Sequence, residues 1–115
     1  MNAERASVRG VWVAACKLGD IVPNTGVCAL VGGCQVAVFR LGDDSIHAVG
    51  NYDPFSRANV LSRGIVGDLR GELVVASPVY KHHFSLTSGR CLEEPEVRVP
   101  VFSVRVDDGL VLVQA

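Results

Sequence analysis

Residues 27–41 read Val27-Cys28-Ala29-Leu30-Val31-Gly32-Gly33-Cys34-Gln35-Val36-Ala37-Val38-Phe39-Arg40-Leu41. Two apolar runs rich in valine flank a glycine pair. Gly-Gly supplies the positive φ values that a tight hairpin turn needs. The stretch therefore predicts strands over Val27–Val31 and Gln35–Leu41, joined as an antiparallel hairpin. The same grammar extends in both directions. Val11 to Lys17 predicts a first strand, and Asp20 to Gly26, which holds Pro23 and Asn24, a loop. Asp43-Asp44 turns the chain into a strand at Ile46 to Val49. Ile65 to Leu69 and Glu72 to Ala76 flank a tight turn at Arg70-Gly71. Phe84 to Leu86 is a short strand closed by Thr87-Ser88-Gly89. Val97 to Val106 reads as a strand that Pro100 confines to an edge or bends. Asp107-Asp108-Gly109 then turns into Leu110 to Gln114. Only Ser56 to Ser62 suits a short turn of helix, with Ser56 as its cap. About nine or ten strands result. Alternation at Val97, Val99 and Val101 and at Leu110 and Leu112 suits antiparallel sheets with one buried face. The fold class is all-β, built of small stacked sheets.

At 115 residues the chain is one domain. A chain of this size buries roughly two-thirds of its unfolded surface, enough for a core without metal or disulfide staples. The polar stretch Met1 to Arg9 is expected to be a flexible N-terminal segment, and it lacks the apolar run of a secretion signal. The 11 basic and 12 acidic residues nearly balance, with no basic run. Nucleic acid and anionic membrane are therefore not expected partners. No apolar stretch approaches the roughly 20 residues of a spanning helix. These features predict a cytoplasmic protein. The four cysteines, Cys16, Cys28, Cys34 and Cys91, match no standard zinc or iron–sulfur spacing. Cys16 and Cys28 lie in apolar runs and read as core filler.

Two loops carry what chemical interest there is. The first is Asn51-Tyr52-Asp53-Pro54-Phe55-Ser56, and the second is Ser77-Pro78-Val79-Tyr80-Lys81-His82-His83-Phe84. Asp53-Pro54 and Ser77-Pro78 read first of all as turn dipeptides, and Phe55 and Tyr80 as core aromatics. Side chains of neighbouring strand residues point to opposite faces, so His82 and His83 are not placed to hold one metal. They read instead as a solvated or partner-facing basic patch with Lys81. Arg57 and Arg63 join Lys81 in a cationic rim suited to docking an acidic surface. His47 is expected to face outward from its strand. There is no catalytic triad order, no HExxH and no phosphate-binding glycine loop. Alone, the chain is not expected to be an enzyme.

The two loops resemble the cluster-binding loops of Rieske iron–sulfur domains, which read Cys-Pro-His and Cys-Pro-x-His-Gly and hold a [2Fe–2S] centre through two Cys and two His. Aligned on the prolines and Phe84, the cysteines fall on Asp53 and Ser77, and the histidines on Phe55 and Tyr80. Phe84 to Leu92 resembles the hairpin that follows the second loop, with Gly89 at a turn position needing positive φ. Val22 to Leu30, Asn51 to Phe55, Val60 to Gly67 and Ser77 to Phe84, taken together, resemble the small subunit of cytoplasmic NAD(P)H-dependent assimilatory nitrite reductase. That resemblance implies a Rieske-like fold without a cluster and no cofactor in this chain. It also implies a large catalytic subunit that carries FAD, [4Fe–4S] and siroheme and reduces nitrite to ammonium. The small subunit would stabilise that partner or shape access to its redox centres. If the cluster is lost, something else must join the two loops. Phe55 and Tyr80 paired edge-to-face, worth on the order of 1 kcal/mol beyond burial, would do so. Asp53 would accept hydrogen bonds from backbone N–H groups or from Tyr80. Two other readings stay open: a redox ferredoxin with a metal site built from Cys28, Cys34, His82 or His83, and a Rieske-like adaptor self-associating through a strand edge.

Overall fold

A computed structural model describes residues 11–114. The N-terminal segment expected to be flexible, Met1 to Arg9, lies outside the described residues. In chain order the strands are β1 (Trp12–Lys17), β2 (Thr25–Val31), β3 (Cys34–Arg40), β4 (Ile46–Gly50), β5 (Tyr52–Asp53), β6 (Ala58–Asn59), β7 (Ile65–Leu69), β8 (Glu72–Ala76), β9 (His83–Ser85), β10 (Val101–Phe102), β11 (Val104–Asp107) and β12 (Leu110–Gln114). They form four antiparallel sheets, ordered β1-β12-β11, β10-β4-β3-β2, β5-β6 and β7-β8-β9. No helix among the described residues is long and apolar enough to cross a membrane.

The hairpin of β2 and β3 is the centre of the architecture. Val36 and Val38 of β3 face one core, shared with Ile21, Ala29, Val31, Val111 and Val113. Ala37 and Phe39 face the other, shared with Leu61, Val75, Phe84, Leu86 and Val99. The four-stranded sheet is thus a wall between two cores. That is why β3 reads as an unbroken apolar run rather than an alternating one. The outer sheet of β1, β12 and β11 covers the core built on Val36 and Val38. The β7-β8-β9 sheet and the two loops close the core built on Ala37 and Phe39.

Several sequence expectations are corrected. Val97–Val106 is not one strand: Val101–Phe102 pairs with β4 and Val104–Asp107 with β12, whereas before Pro100 the chain changes partner, Arg98 bridging Arg90 and Val97 and Val99 bonding to Cys91 and Gly89. In β12 the buried residues are Val111 and Val113, whereas Leu110 is exposed. Four consecutive apolar residues carry no alternation to read, so facing is decided by register against β1. The helical turn is a 3₁₀ turn over Leu61–Arg63, and Ser56 does not cap it. Cys28 is exposed rather than core filler, since β2 is an edge strand; Cys16 is half-buried and Cys91 buried. His47 is half-buried, and burial pulls its imidazole pKa down against the opposing pull of Asp43.

Candidate functional site

The ends of β5 and β8 each run into a tight five-residue turn. In the first, the Arg57 N–H donates to the Asp53 carbonyl at 2.8 Å; in the second, the Lys81 N–H donates to the Ser77 carbonyl at 3.1 Å. Each turn ends on a left-handed residue, Arg57 at φ 59° and Lys81 at φ 65°. Each opens on a short oxygen side chain that captures the N–H two residues on: Phe55 to Asp53 Oδ1 at 2.9 Å, and Val79 to Ser77 Oγ at 3.3 Å. These are side-chain turns of the Asx and Ser/Thr type. The two turns are therefore built alike and face each other.

They are joined by one short hydrogen bond. Ser77 Oγ donates to Asp53 Oδ2 at 2.5 Å, and Ser56 Oγ donates to the same oxygen at 2.9 Å. Asp53 and Ser77 are both fully buried. Burial alone would raise the Asp53 pKa. The hydrogen bonds from Ser77, the Phe55 N–H and Ser56 outweigh it and hold the carboxyl below its ordinary value. Asn51, also buried, fastens the first turn to the central sheet. Its Nδ2 donates to Gln35 Oε1 at 3.2 Å, and its Oδ1 accepts the Ser62 N–H at 2.7 Å. Sequence reasoning gave Asn51 no such role, because its partners lie in segments distant along the chain.

The aromatic pairing is not the expected one. Phe55 stacks on His82, with ring centroids 3.7 Å apart and planes 5° from parallel, and it meets Phe84 at 6.1 Å. Tyr80 is 61% exposed, makes no pair with Phe55 and does not hydrogen-bond Asp53. His82 leaves its Nδ1 buried and without a hydrogen-bond partner among the described residues. His83 turns the other way: its Nδ1 lies 2.6 Å from Glu93 Oε2, and its N–H donates to Glu93 Oε1 at 2.8 Å. Burial would raise the Glu93 pKa, but these contacts with His83 bring it down. The two histidines diverge as a strand requires, yet both are half-buried structural groups rather than a solvated patch. Arg57, Arg63 and Lys81 are exposed.

Residues 11–114 match the Rieske-like [2Fe-2S] domain family. The NADH nitrite reductase small subunit of Salmonella typhimurium is 50% identical over 101 residues, covering 87% of this chain and 94% of that one. The chain belongs to the nitrite reductase small-subunit family. A solved Mycobacterium tuberculosis structure, provisionally assigned as an NADH-dependent nitrite reductase small subunit, superposes with a TM-score of 0.86 at 51% identity, covering 90% of this chain and 93% of that one. The nitrite reductase [NAD(P)H] large subunit of Klebsiella oxytoca contains a stretch 43% identical over 102 residues, which takes up 89% of this chain and 11% of that one. The family's named members are subunits of an oxidoreductase, and the fold is the Rieske-like one.

The donors of this small subunit do not fit a [2Fe–2S] cluster. The Asp53 and Ser77 oxygens are bonded to each other, Phe55 has no donor atom, and hard oxygens are poor ligands for such iron. The alternative set does not converge either. Cys28 lies opposite Ala37, which faces the first loop-covered core, and Cys34 lies opposite Val31, which faces the other. Directly opposed residues share a face, so the two thiols sit on opposite sides of the sheet. Among the described residues no three metal-ligating side chains come together.

Proposed function

We propose that this chain acts as the non-catalytic small subunit of a cytoplasmic NAD(P)H nitrite reductase and supplies a binding surface rather than electrons. The flavin, [4Fe–4S] and siroheme chemistry that takes nitrite to ammonium belongs to the large subunit. The observation that carries this reading is the Ser77–Asp53 link at 2.5 Å. It joins the two turns that a Rieske domain joins through its cluster, and it supports a chain without an electron carrier because two of the four ligand positions spend their oxygens on each other. The Phe55–His82 stack fills the neighbouring space with apolar contact.

Iron analysis and visible spectra of the purified chain, with nitrite-dependent nucleotide oxidation by a co-expressed large subunit, test the proposal. The expected result is a colourless, iron-free small subunit that copurifies with the large one and raises nitrite-dependent oxidation at least several-fold over the large subunit alone. Two iron atoms per chain, with the paired visible bands of a Rieske centre, would overturn it.

A further inference from the structure

We propose that the outer surface of the two turns is a docking apex. Its centre is the exposed pair Val79 and Tyr80, its rim is Arg57, Arg63 and Lys81, and its occupant is an apolar recess edged by carboxylates on the large subunit. The proposal rests on the small-subunit reading above and names the surface that reading needs.

The two turns share a hydrogen-bond plan but not an exposure pattern. Phe55 and Ser56 of the first are half-buried, whereas Pro78, Val79, Tyr80 and Lys81 of the second are all exposed. Tyr80 is 61% and Val79 46% exposed. Neither side chain holds the turn in place. Ser77 does, through its N–H to the His82 carbonyl, its carbonyl from the Lys81 N–H, and its hydroxyl shared with Val79 and Asp53. The turn is thus rigid beneath two apolar side chains that the fold does not use. A pre-organised loop loses little entropy on binding, and tyrosine is among the residues that dominate interface energetics.

The charge of the apex has one sign. Across residues 51–67 and 77–92 the sole carboxylate is Asp53, which is buried and fully bonded. Arg57, Arg63 and Lys81 form no ion pair among the described residues. Of the acids that flank these stretches, Asp68 takes the Gly71 N–H at 2.7 Å and Glu93 is held by His83. The chain as a whole carries a formal net charge of −1, so a cationic apex is a local feature, not general basicity. A complementary partner offers carboxylates around an apolar centre.

The Klebsiella oxytoca large subunit, with its stretch resembling this chain, shows that the two components can share one polypeptide. Here Trp12 and Gln114 lie opposite each other in the outer sheet, on the far side of the central wall from the turns. A covalent connection at those ends leaves the apex free to dock.

The test is binding of this chain to its cognate large subunit, purified as the holoenzyme, with association and dissociation rates measured at low and high salt. Tyr80→Ser is expected to weaken binding by about 30-fold, mostly through faster dissociation. The triple variant R57Q/R63Q/K81Q is expected to slow association by about tenfold at low salt, with the difference vanishing at high salt. Val106→Ser, on the exposed far side in β11, should bind as the unaltered chain does. Melting temperatures should stay unchanged for all three, since each altered side chain is exposed. If the unaltered chain fails to bind, the small-subunit reading falls and the apex falls with it. If it binds and the apex variants bind equally well, or if Tyr80→Ser only dissolves a self-association of this chain, the reading stands and the apex proposal is overturned.

Discussion

Asp53→Ala is expected to destabilise the domain by about 3 kcal/mol, the cost of leaving buried donors unsatisfied. The carboxylate, itself fully buried, takes hydrogen bonds from Ser77 Oγ, Ser56 Oγ and the Phe55 N–H. Alanine orphans all three. For a domain of this size that loss lowers the melting temperature by roughly 12 °C. Ser77→Ala removes one donor and one acceptor and should cost about 1–2 kcal/mol. Because the two residues touch, the double variant should be less damaged than the sum of the singles, and a double-mutant cycle in urea reads that coupling. Additive losses would mean that the Ser77–Asp53 bond contributes nothing.

The same carboxyl sets a pH dependence. Its native pKa lies below its ordinary value of about 3.9. Between the two values the unfolded chain binds more protons than the folded one, so stability rises with pH across that window. The contribution is complete above about pH 4 and is lost as pH falls through the native pKa. Asp53→Asn removes this titration. Its stability profile should be flatter than that of the unaltered chain below pH 4, with the slope from Glu93 still present, since its pKa is also lowered. Parallel acid limbs in the two proteins, measured by urea unfolding across the acid range up to neutral pH, would show that folding does not lower the Asp53 pKa.

What the sequence made legible follows from how locally each feature is determined. The β2–β3 hairpin was readable because Gly32-Gly33 sets the turn and the full register follows, from Val31 opposite Cys34 to Thr25 opposite Arg40. The loop positions Asp53 and Ser77 were readable because prolines mark both turns, and the structure brings them together. The aromatic partner of Phe55 was not readable. Counting back from Phe84 by strand alternation sends Tyr80 and His82 to the same side. Lys81, at φ 65°, breaks that alternation between them. The imidazole of His82 meets Phe55, and the ring of Tyr80 is left outside. The facing of β12 failed for a different reason: an all-apolar run has no polar residue to mark its outer side, so only pairing with β1 and β11 decides it. Cys28 was misread because its run looks like a core strand, and nothing local says that β2 lies at an edge.

Gly89→Ala is expected to be the most damaging single-methyl change in the chain, costing on the order of 4 kcal/mol. Gly89 closes the turn after β9: its N–H donates to the Ser85 carbonyl, and its own carbonyl accepts the Val99 N–H, both at 2.9 Å. Two separate effects oppose a side chain there. The backbone sits at φ 78°, a region that costs an L-residue roughly 1–2 kcal/mol. A Cβ would also lie 2.1 Å from the Val99 carbonyl oxygen and 2.9 Å from Val101 Cγ2, so backbone, not a flexible side-chain tip, must move. Gly71 separates the two effects. It has φ 85°, but a methyl group there would meet nothing within 4 Å, so Gly71→Ala carries the conformational cost alone, about 1 kcal/mol. The excess loss in Gly89→Ala over Gly71→Ala, read by urea denaturation, measures how tightly the 97–101 segment is clamped onto this turn. Because Val99 belongs to the core that also holds Phe84 and Leu61, that clamp bears on the same packing that supports the two loops. Equal losses in the two variants would show that the segment yields freely and that Gly89 is required by its turn alone.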